Sequence, residues 1–357
     1  MKNQCNFVRK SYLDVLRIIA IFMVLFNHTG SKGFAIFTTV APQSVSYWIY
    51  LFGAIFIKIA VPIFFMISGA LLLEREESIE KIIKKRFLKY SIILLVSSFI
   101  KYLYFIEFKF SEVSFYYFLI RLYSEEWVIA YWYLYAYLAF LIILPIMQKI
   151  AKVLDNKDYN YILFVYLFIQ CVKIAEFLIW KGEVTYNSSF SVFILEQTVI
   201  YPFMGYFLEH RLQPKDYNKR TALSLILLSV LCIAICCMLT HYVCVLNNEW
   251  SEKTCQTFFN SLIIIPSMSV YYWVKCIMEK CKLSNKTKRI LSVVGSCTFG
   301  IYLFERIYRD VTIGIYSILE SLIPSILACF IWIFISCVMG LFVTMILKRI
   351  PIINRFI

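Results

Sequence analysis

The stretch YLDVLRIIAIFMVLFNH, from Tyr12 to His28, decides the class of this chain, because it is a membrane-length apolar helix that keeps charge inside it. Arg17 and His28 are 11 residues apart. At ~100° per residue that spacing falls roughly 20° from a whole number of turns, so both side chains share one face about 16 Å apart along the axis. Asp14 precedes Arg17 by three residues and lies on the same stripe. An ionisable group at bilayer depth costs roughly 2.5 kcal/mol or more, so a helix that retains three of them usually needs them. A purely structural alternative is an Asp14–Arg17 ion pair at headgroup level plus an interfacial histidine.

Outward from this helix the same pattern repeats. Hydrophobic residues make up 61% of the 357 residues, charged residues 16%, and the mean hydropathy is +0.74. Soluble domains carry about 25% charged residues. Ten apolar runs of crossing length are read at 12–28, 47–73, 87–106, 127–147, 159–180, 190–208, 221–245, 257–278, 291–318 and 322–347. The second and ninth are long enough to be tilted or broken. The expected fold is therefore all-α: a polytopic integral membrane helix bundle of about ten transmembrane helices, forming a single domain over residues 1–357.

A net charge of +14 invites a nucleic-acid reading, but the distribution argues against one. With the N-terminus inside, 25 of the 36 Lys and Arg residues fall in inner segments. Eight fall outside (Lys32, Lys101, Lys109, Arg121, Lys181, Lys253, Arg306 and Arg309), and Arg17, Lys58 and Lys173 lie within spans. That asymmetry is the positive-inside rule, with both termini cytoplasmic and no nucleic acid required.

The longest polar intervals, Glu74–Lys89 and Glu209–Arg220, are too short for a soluble domain. The first helix is not expected to be a cleaved signal, since Asp14 and Arg17 interrupt its start. The 12 cysteines show no paired CxxC or Cys/His ligand spacing, so no metal is expected. Most lie within spans as small apolar fillers, although Cys244 and Cys255 offer a disulfide on the outer face. Lys58 stands one turn before Pro62, and its ammonium either snorkels outward or lines a polar cavity with His28. Lys173 and Glu176, spaced i,i+3, are expected to neutralise each other, and His241 to be structural.

Four stretches in order along the chain carry a family resemblance. The first is LDVLRIIAIFMVLFNH, with an Arg-x10-His signature at Arg17 and His28 preceded by Asp14. The second is VPIFFMISGALLL (Val61–Leu73), ending its apolar block in Ser68–Gly69. KRFLKY (Lys85–Tyr90) carries a basic-x-x-basic pair, and WYLYAYLAFLIILPIM opens on Trp132 and holds Pro145 near its end. In these motifs the chain resembles the acyltransferase-3 family of polytopic membrane enzymes that O-acylate surface glycans. A fifth stretch, SCTFGIYLFERIY, resembles the family's GIYL block, but the family's following histidine is Glu305 here. The role of that histidine does not carry over, although a glutamate can still act as proton acceptor or base.

The resemblance implies an integral membrane O-acyltransferase, of the O-acetyltransferase type, in the plasma or inner membrane. It implies a cytoplasmic acyl-CoA donor such as acetyl-CoA, used as substrate with no cofactor, and a hydroxyl of a cell-surface or lipid-linked glycan as acceptor. Acyl transfer from a thioester needs a base for the alcohol proton and donors for the oxyanion. His28 suits the base, or carries the acyl group covalently. Arg17 suits a phosphate, a carboxylate or the oxyanion, and Asp14 orients it. Lys85, Arg86 and Lys89 would meet the polyanionic donor, and otherwise serve only as topology anchors. Lys58, Trp132, Glu196 and Glu305 are the expected acceptor-side residues. Trp132 is chosen from an aromatic-rich outer belt because it occupies the motif position. The competing reading is a transporter or flippase for a lipid-linked sugar or small anion, against which no second copy of the Arg17–His28 helix is found.

The topology is testable by cysteine labelling. A cysteine placed at Ser31 reacts with a membrane-impermeant reagent in intact cells, and one placed at Lys215 does not. The opposite pattern overturns the ten-span arrangement.

Overall fold

The computed structural model describes residues 9–184, 187, 192–212 and 219–356. Among these residues every regular element is helical. In chain order the principal helices are α1 Ser11–Asn27, α2 Val45–Ile57, α3 Ala60–Leu72, α4 Leu88–Phe105, α5 Phe115–Ser124 and α6 Trp132–Val153. They continue as α7 Asn156–Trp180, α8 Gln197–Tyr206, α9 Lys219–Asn247, α10 Ile264–Lys280, α11 Asn285–Glu320 and α12 Ser325–Leu347. Lys215, expected in an inner loop, lies outside the described residues, as does the start of the run expected at 190–208.

Among the described residues seven helical segments are long and apolar enough to cross a membrane: Val45–Leu72, Ile79–Phe105, Ile129–Val153, Asn156–Trp180, Arg220–Asn247, Asn285–Glu320 and Ser325–Leu347. Their outward faces carry large apolar side chains such as Phe164 (64% exposed), Leu227 (62%) and Phe334 (61%). Apolar surface on that scale has no stable place in water and matches the hydrocarbon of a bilayer. This is a multi-pass membrane protein. The other three expected runs are helical but shorter: α1 and α10 have 17 residues each, and α8 has ten before its π-helical last turn, Phe207–Arg211. They are strongly buried, with every residue from Val199 to Tyr206 inside the protein. A helix surrounded by protein need not match the hydrocarbon thickness on every side.

The chain divides into two compact units. The first comprises residues 1–64 and 213–347. In it α1 packs on α10, α11 and α12, α11 lies along α12, and α9 packs on α2 and α10. The two long runs, expected to be tilted or broken, are both broken, and inside chemistry-bearing sequence. The Val45–Leu72 span breaks where α2 ends on Lys58 and α3 resumes at Ala60. Helix α11 kinks at Phe304, whose φ of −122° and ψ of 17° are non-helical. Cys244 and Cys255 are both buried with their sulfurs 2.8 Å apart, as two free thiols in contact.

The second unit comprises residues 65–212 and 348–357. Here α6 packs on α4 and α8, and α7 packs on α8. The Ser68–Gly69 motif has a packing explanation: a Cβ on Gly69 would strike the backbone of Pro202, and one on Gly205 would strike the backbone of Met66. Two glycines thus let the α3 and α8 backbones touch, which is how helices associate where lipid removes the hydrophobic drive. The aromatic stretch before α6 folds as α5, whose Phe118 is buried against Tyr102 and Trp127. Gly69→Ala is expected to cost about 1–3 kcal/mol by forcing two backbones apart. Gly53→Ala, where a Cβ meets open space, leaves stability unchanged or raised. Thermal unfolding of both variants in detergent makes the comparison, and equal midpoints would refute the close-approach account.

Candidate active site

In the first unit the two ends of α1 are held by separate charge clusters. At its start Asp14 is 1% exposed and accepts three hydrogen bonds. Arg9 donates two of them, Nε to Oδ2 and Nη2 to Oδ1, each at 2.8 Å. Arg17 Nη1 donates the third to Oδ1 at 2.8 Å. Arg9 also donates to the carbonyl of Ser292 at 2.7 Å, and Gly295 leaves room for the Asp14 carboxylate, so the cluster ties α1 to α11. The Asp14–Arg17 pair is the one expected from i,i+3 spacing. Arg9 was not singled out, because it precedes the helix and reaches Asp14 only through tertiary folding.

At the other end His28 caps α1, its N–H bonded to the carbonyl of Leu25 at 3.2 Å. The chain then turns through Gly30 at φ +56°, a left-handed conformation natural to glycine. Thr29 Oγ1 donates to the Phe26 carbonyl at 2.7 Å and accepts from the Phe34 N–H at 2.8 Å, pinning the loop after the histidine. His28 Nδ1 faces Glu305 Oε1 at 3.2 Å, within ion-pair range but not aligned as a hydrogen bond. Glu305 is 2% exposed, and its Oε2 accepts from Arg309 Nε at 2.6 Å. Arg309 Nη1 in turn donates to the His28 carbonyl at 2.6 Å. Arg309 therefore touches both the carboxylate and the backbone of the histidine that the carboxylate faces. By charge distribution Arg309 counts as an outer basic residue; its i,i+4 spacing from Glu305 is the signal in the sequence that pairs the two.

An ionised carboxylate only accepts hydrogen bonds, so the ring nitrogen turned toward it is assigned the proton of the neutral imidazole. That leaves Nε2 as the lone-pair nitrogen, in the arrangement a carboxylate gives a catalytic histidine. The kink at Phe304 sits one residue before Glu305, and Trp332 Nε1 secures the same segment through the Arg309 carbonyl (3.2 Å) and Thr312 Oγ1 (3.1 Å).

Lys58 stands at the α2–α3 break with its ammonium 4.4 Å from the ring centroid of Phe34 and 5.8 Å from that of Phe259. Among the described residues no carboxylate lies within ion-pair distance of it. Ring faces return about 0.5–2 kcal/mol to a cation. Desolvating a charge costs several kcal/mol, so the rings alone do not balance it. Arg17 lies in the first half of α1 and His28 caps its end, about 16 Å apart along the axis.

Lys85, Arg86, Lys89, Trp132 and Glu196 belong to the second unit. Arg86 Nε donates to Glu77 Oε2 at 2.6 Å, and Lys81 meets the same carboxylate at 2.9 Å. The Arg86 hydrogen bond holds the Glu77 carboxyl down at about 2. Lys85 is exposed and Lys89 half-buried, and with Arg86 they flank or form the π-helical turn Ile83–Phe87. Trp132 begins α6 half-exposed, edge-on to Tyr133, while Glu196 is exposed just before α8. A polar cavity of about 400 Å³ lined by Glu74, Lys152, Tyr206, His210 and Arg211 was not expected. His241 binds the Tyr47 hydroxyl through Nδ1 at 3.2 Å and packs on Trp48, in keeping with a structural role.

A multi-pass helix bundle with a carboxylate-backed histidine at the end of its first helix is the frame of a membrane group-transfer enzyme. A family model, the acyltransferase domain of the acyltransferase-3 family, matches residues 10–349. The chain belongs to that family and is a membrane acyltransferase. No curated protein and no solved structure matches it significantly.

The charge coupling at His28 is testable. Arg309→Met strands the buried Glu305 carboxylate and is expected to cost about 3–5 kcal/mol, much of it recovered in Glu305→Met/Arg309→Met. The chain has three histidines, so histidine-selective ¹⁵N NMR reads the ring directly. His28 carries its proton on Nδ1 in the parent and loses that preference in the double variant. Additive stability losses with an unchanged tautomer would overturn the assignment.

Proposed function

We propose that this chain is an O-acyltransferase, of the O-acetyltransferase type, that moves an acyl group from cytoplasmic acyl-CoA to a hydroxyl of a cell-surface or lipid-linked glycan. It works in the plasma or inner membrane, crosses it ten times with both termini cytoplasmic, and acts as one acyltransferase domain over its length. The observation that carries the mechanism is His28 Nδ1 facing Glu305 at 3.2 Å while Arg309 holds the carboxylate from behind.

In this reading Nε2 of His28 takes the proton of the acceptor hydroxyl as its oxygen attacks the thioester carbonyl. The carbon–sulfur bond breaks, the ester forms, and the imidazolium returns the proton to the departing thiolate. Glu305 is a positioning residue that fixes the ring and stabilises the imidazolium. Arg17, about 16 Å away along α1, is too far to serve an oxyanion at His28. It suits an anionic part of the donor better, with Asp14 holding its guanidinium in place. Lys85, Arg86 and Lys89 supply further positive charge for the donor's phosphates, and to act there Arg86 exchanges some of its contact with Glu77. Trp132 and Glu196 are proposed to contact the acceptor.

His28→Ala is expected to abolish glycan acylation while the protein still inserts and folds. Mass spectrometry of surface glycans from expressing and non-expressing cells reads this as loss of one O-acyl mass increment. Near-normal acylation by a well-expressed variant would sink the mechanism.

A further inference from the structure

Lys58 is a charge that the mechanism above leaves unused. It lies 13 residues into the Val45–Leu72 span, a depth of about 20 Å at helical rise, where a cation normally has a partner. The partners present are the faces of Phe34 and Phe259. The two buried carboxylates of the α1–α11 contact are already paired, Glu305 with Arg309 and His28, and Asp14 with Arg9 and Arg17. Glu252 acts on Lys58 only from beyond ion-pair distance and accepts a hydrogen bond from Gln256. Lys58 as a residue is half-buried.

Its location connects it to the reacting end of the site. Phe34, which carries the ammonium, is bonded through its N–H to Thr29 Oγ1, and Thr29 directly follows His28. The cation, without a carboxylate partner among the described residues, and the proposed base are thus linked by one short, hydrogen-bonded loop after the C-terminal end of α1. A negative group placed against Lys58 would complete the charge balance and bring the molecule bearing it to His28. The donor's phosphates are the wrong source on the topology proposed here, because they would have to leave the cytoplasmic side and lose their water on the way.

We infer that Lys58 is an anion-binding residue for the acceptor, and that the acceptor is an anionic glycan or glycolipid whose carboxylate or phosphate pairs with this ammonium while the Phe34 and Phe259 faces line the apolar side of the sugar. This rests on the acyl-transfer reading for the word acceptor, and on the cation's surroundings alone for the anion. Two sources share the chemistry: an acidic sugar within the glycan, or the phosphate of a lipid carrier.

The test is direct binding to the purified full-length protein, which needs no turnover. The probes are tri-galacturonate, the matching neutral tri-galactose, and a polyprenyl diphosphate disaccharide, each at low and high salt. The parent is expected to bind at least one anionic probe about tenfold more tightly than tri-galactose, in a salt-sensitive way. Lys58→Gln removes that preference, and Lys58→Arg keeps it. Thermal unfolding of each variant separates lost binding from lost folding, and Lys58→Arg keeps the inference open to refutation should Lys58→Gln unfold. Preference for tri-galacturonate locates the anion in the glycan, and preference for the diphosphate alone locates it on the carrier. A parent without preference for either anion, including one that binds no probe, overturns the inference, as does a Lys58→Gln protein that retains the preference. If the anion binds but His28→Ala still acylates, the transfer reading fails and the anion site stands.

Discussion

The buried carboxylate of Glu305 is the constraint around which the first unit is arranged. An ionised group at 2% exposure inside a membrane helix persists only with partners, and here one arginine and one histidine supply them. Arg309 comes from the next turn of the same helix, so half of the neutralisation is local. The histidine comes from α1, so the other half requires α1 and α11 to dock. The kink at Phe304 and the grip of Trp332 on the Arg309 carbonyl belong to the same solution, since both fix the segment bearing the two charges. Buried ion pairs of this kind add little net stability compared with apolar packing; what this one supplies is a fixed geometry for the ring proposed as the base.

Asp14 plays the matching part at the other end of α1. Its carboxylate satisfies Arg9 and Arg17 together, and Gly295 provides the space that lets α11 approach. Helix α1 is therefore pinned at both ends to one partner helix by charge, while the middle of the contact is apolar, with Leu16, Ala20 and Leu25 fully buried. Both of its terminal clusters carry chemistry in the proposed mechanism, and both would hold the helix in place without it.

The second unit depends on close backbone approach instead. Gly69 and Gly205 let α3 and α8 meet without side chains between them, and the hydrogen bond from Gln148 to the Leu72 carbonyl secures the end of α3 against α6. Two π-helical turns, Ile83–Phe87 and Phe207–Arg211, carry the half-buried basic side chains Arg86, His210 and Arg211. Such turns are over-represented at functional positions, because the extra residue re-aims side chains that regular helix would space differently.

The membrane class, the all-α fold and the acyltransferase family were legible in the sequence, because they rest on properties that local sequence carries: apolar run length, charge sparsity and motif order. The Asp14–Arg17 pair was legible for the same reason, being an i,i+3 contact. What only the tertiary structure decided is which charges find one another across helices. Arg9 reaches Asp14, Arg309 reaches the His28 carbonyl 281 residues away, and the ammonium of Lys58 meets aromatic rings in place of an acid. The role of Gly69 likewise became clear only with Pro202 opposite it. A sequence determines that a buried charge must be compensated, because desolvation is a property of the residue; the identity of the partner depends on which helices pack, and that is settled by shape and energy over the whole chain.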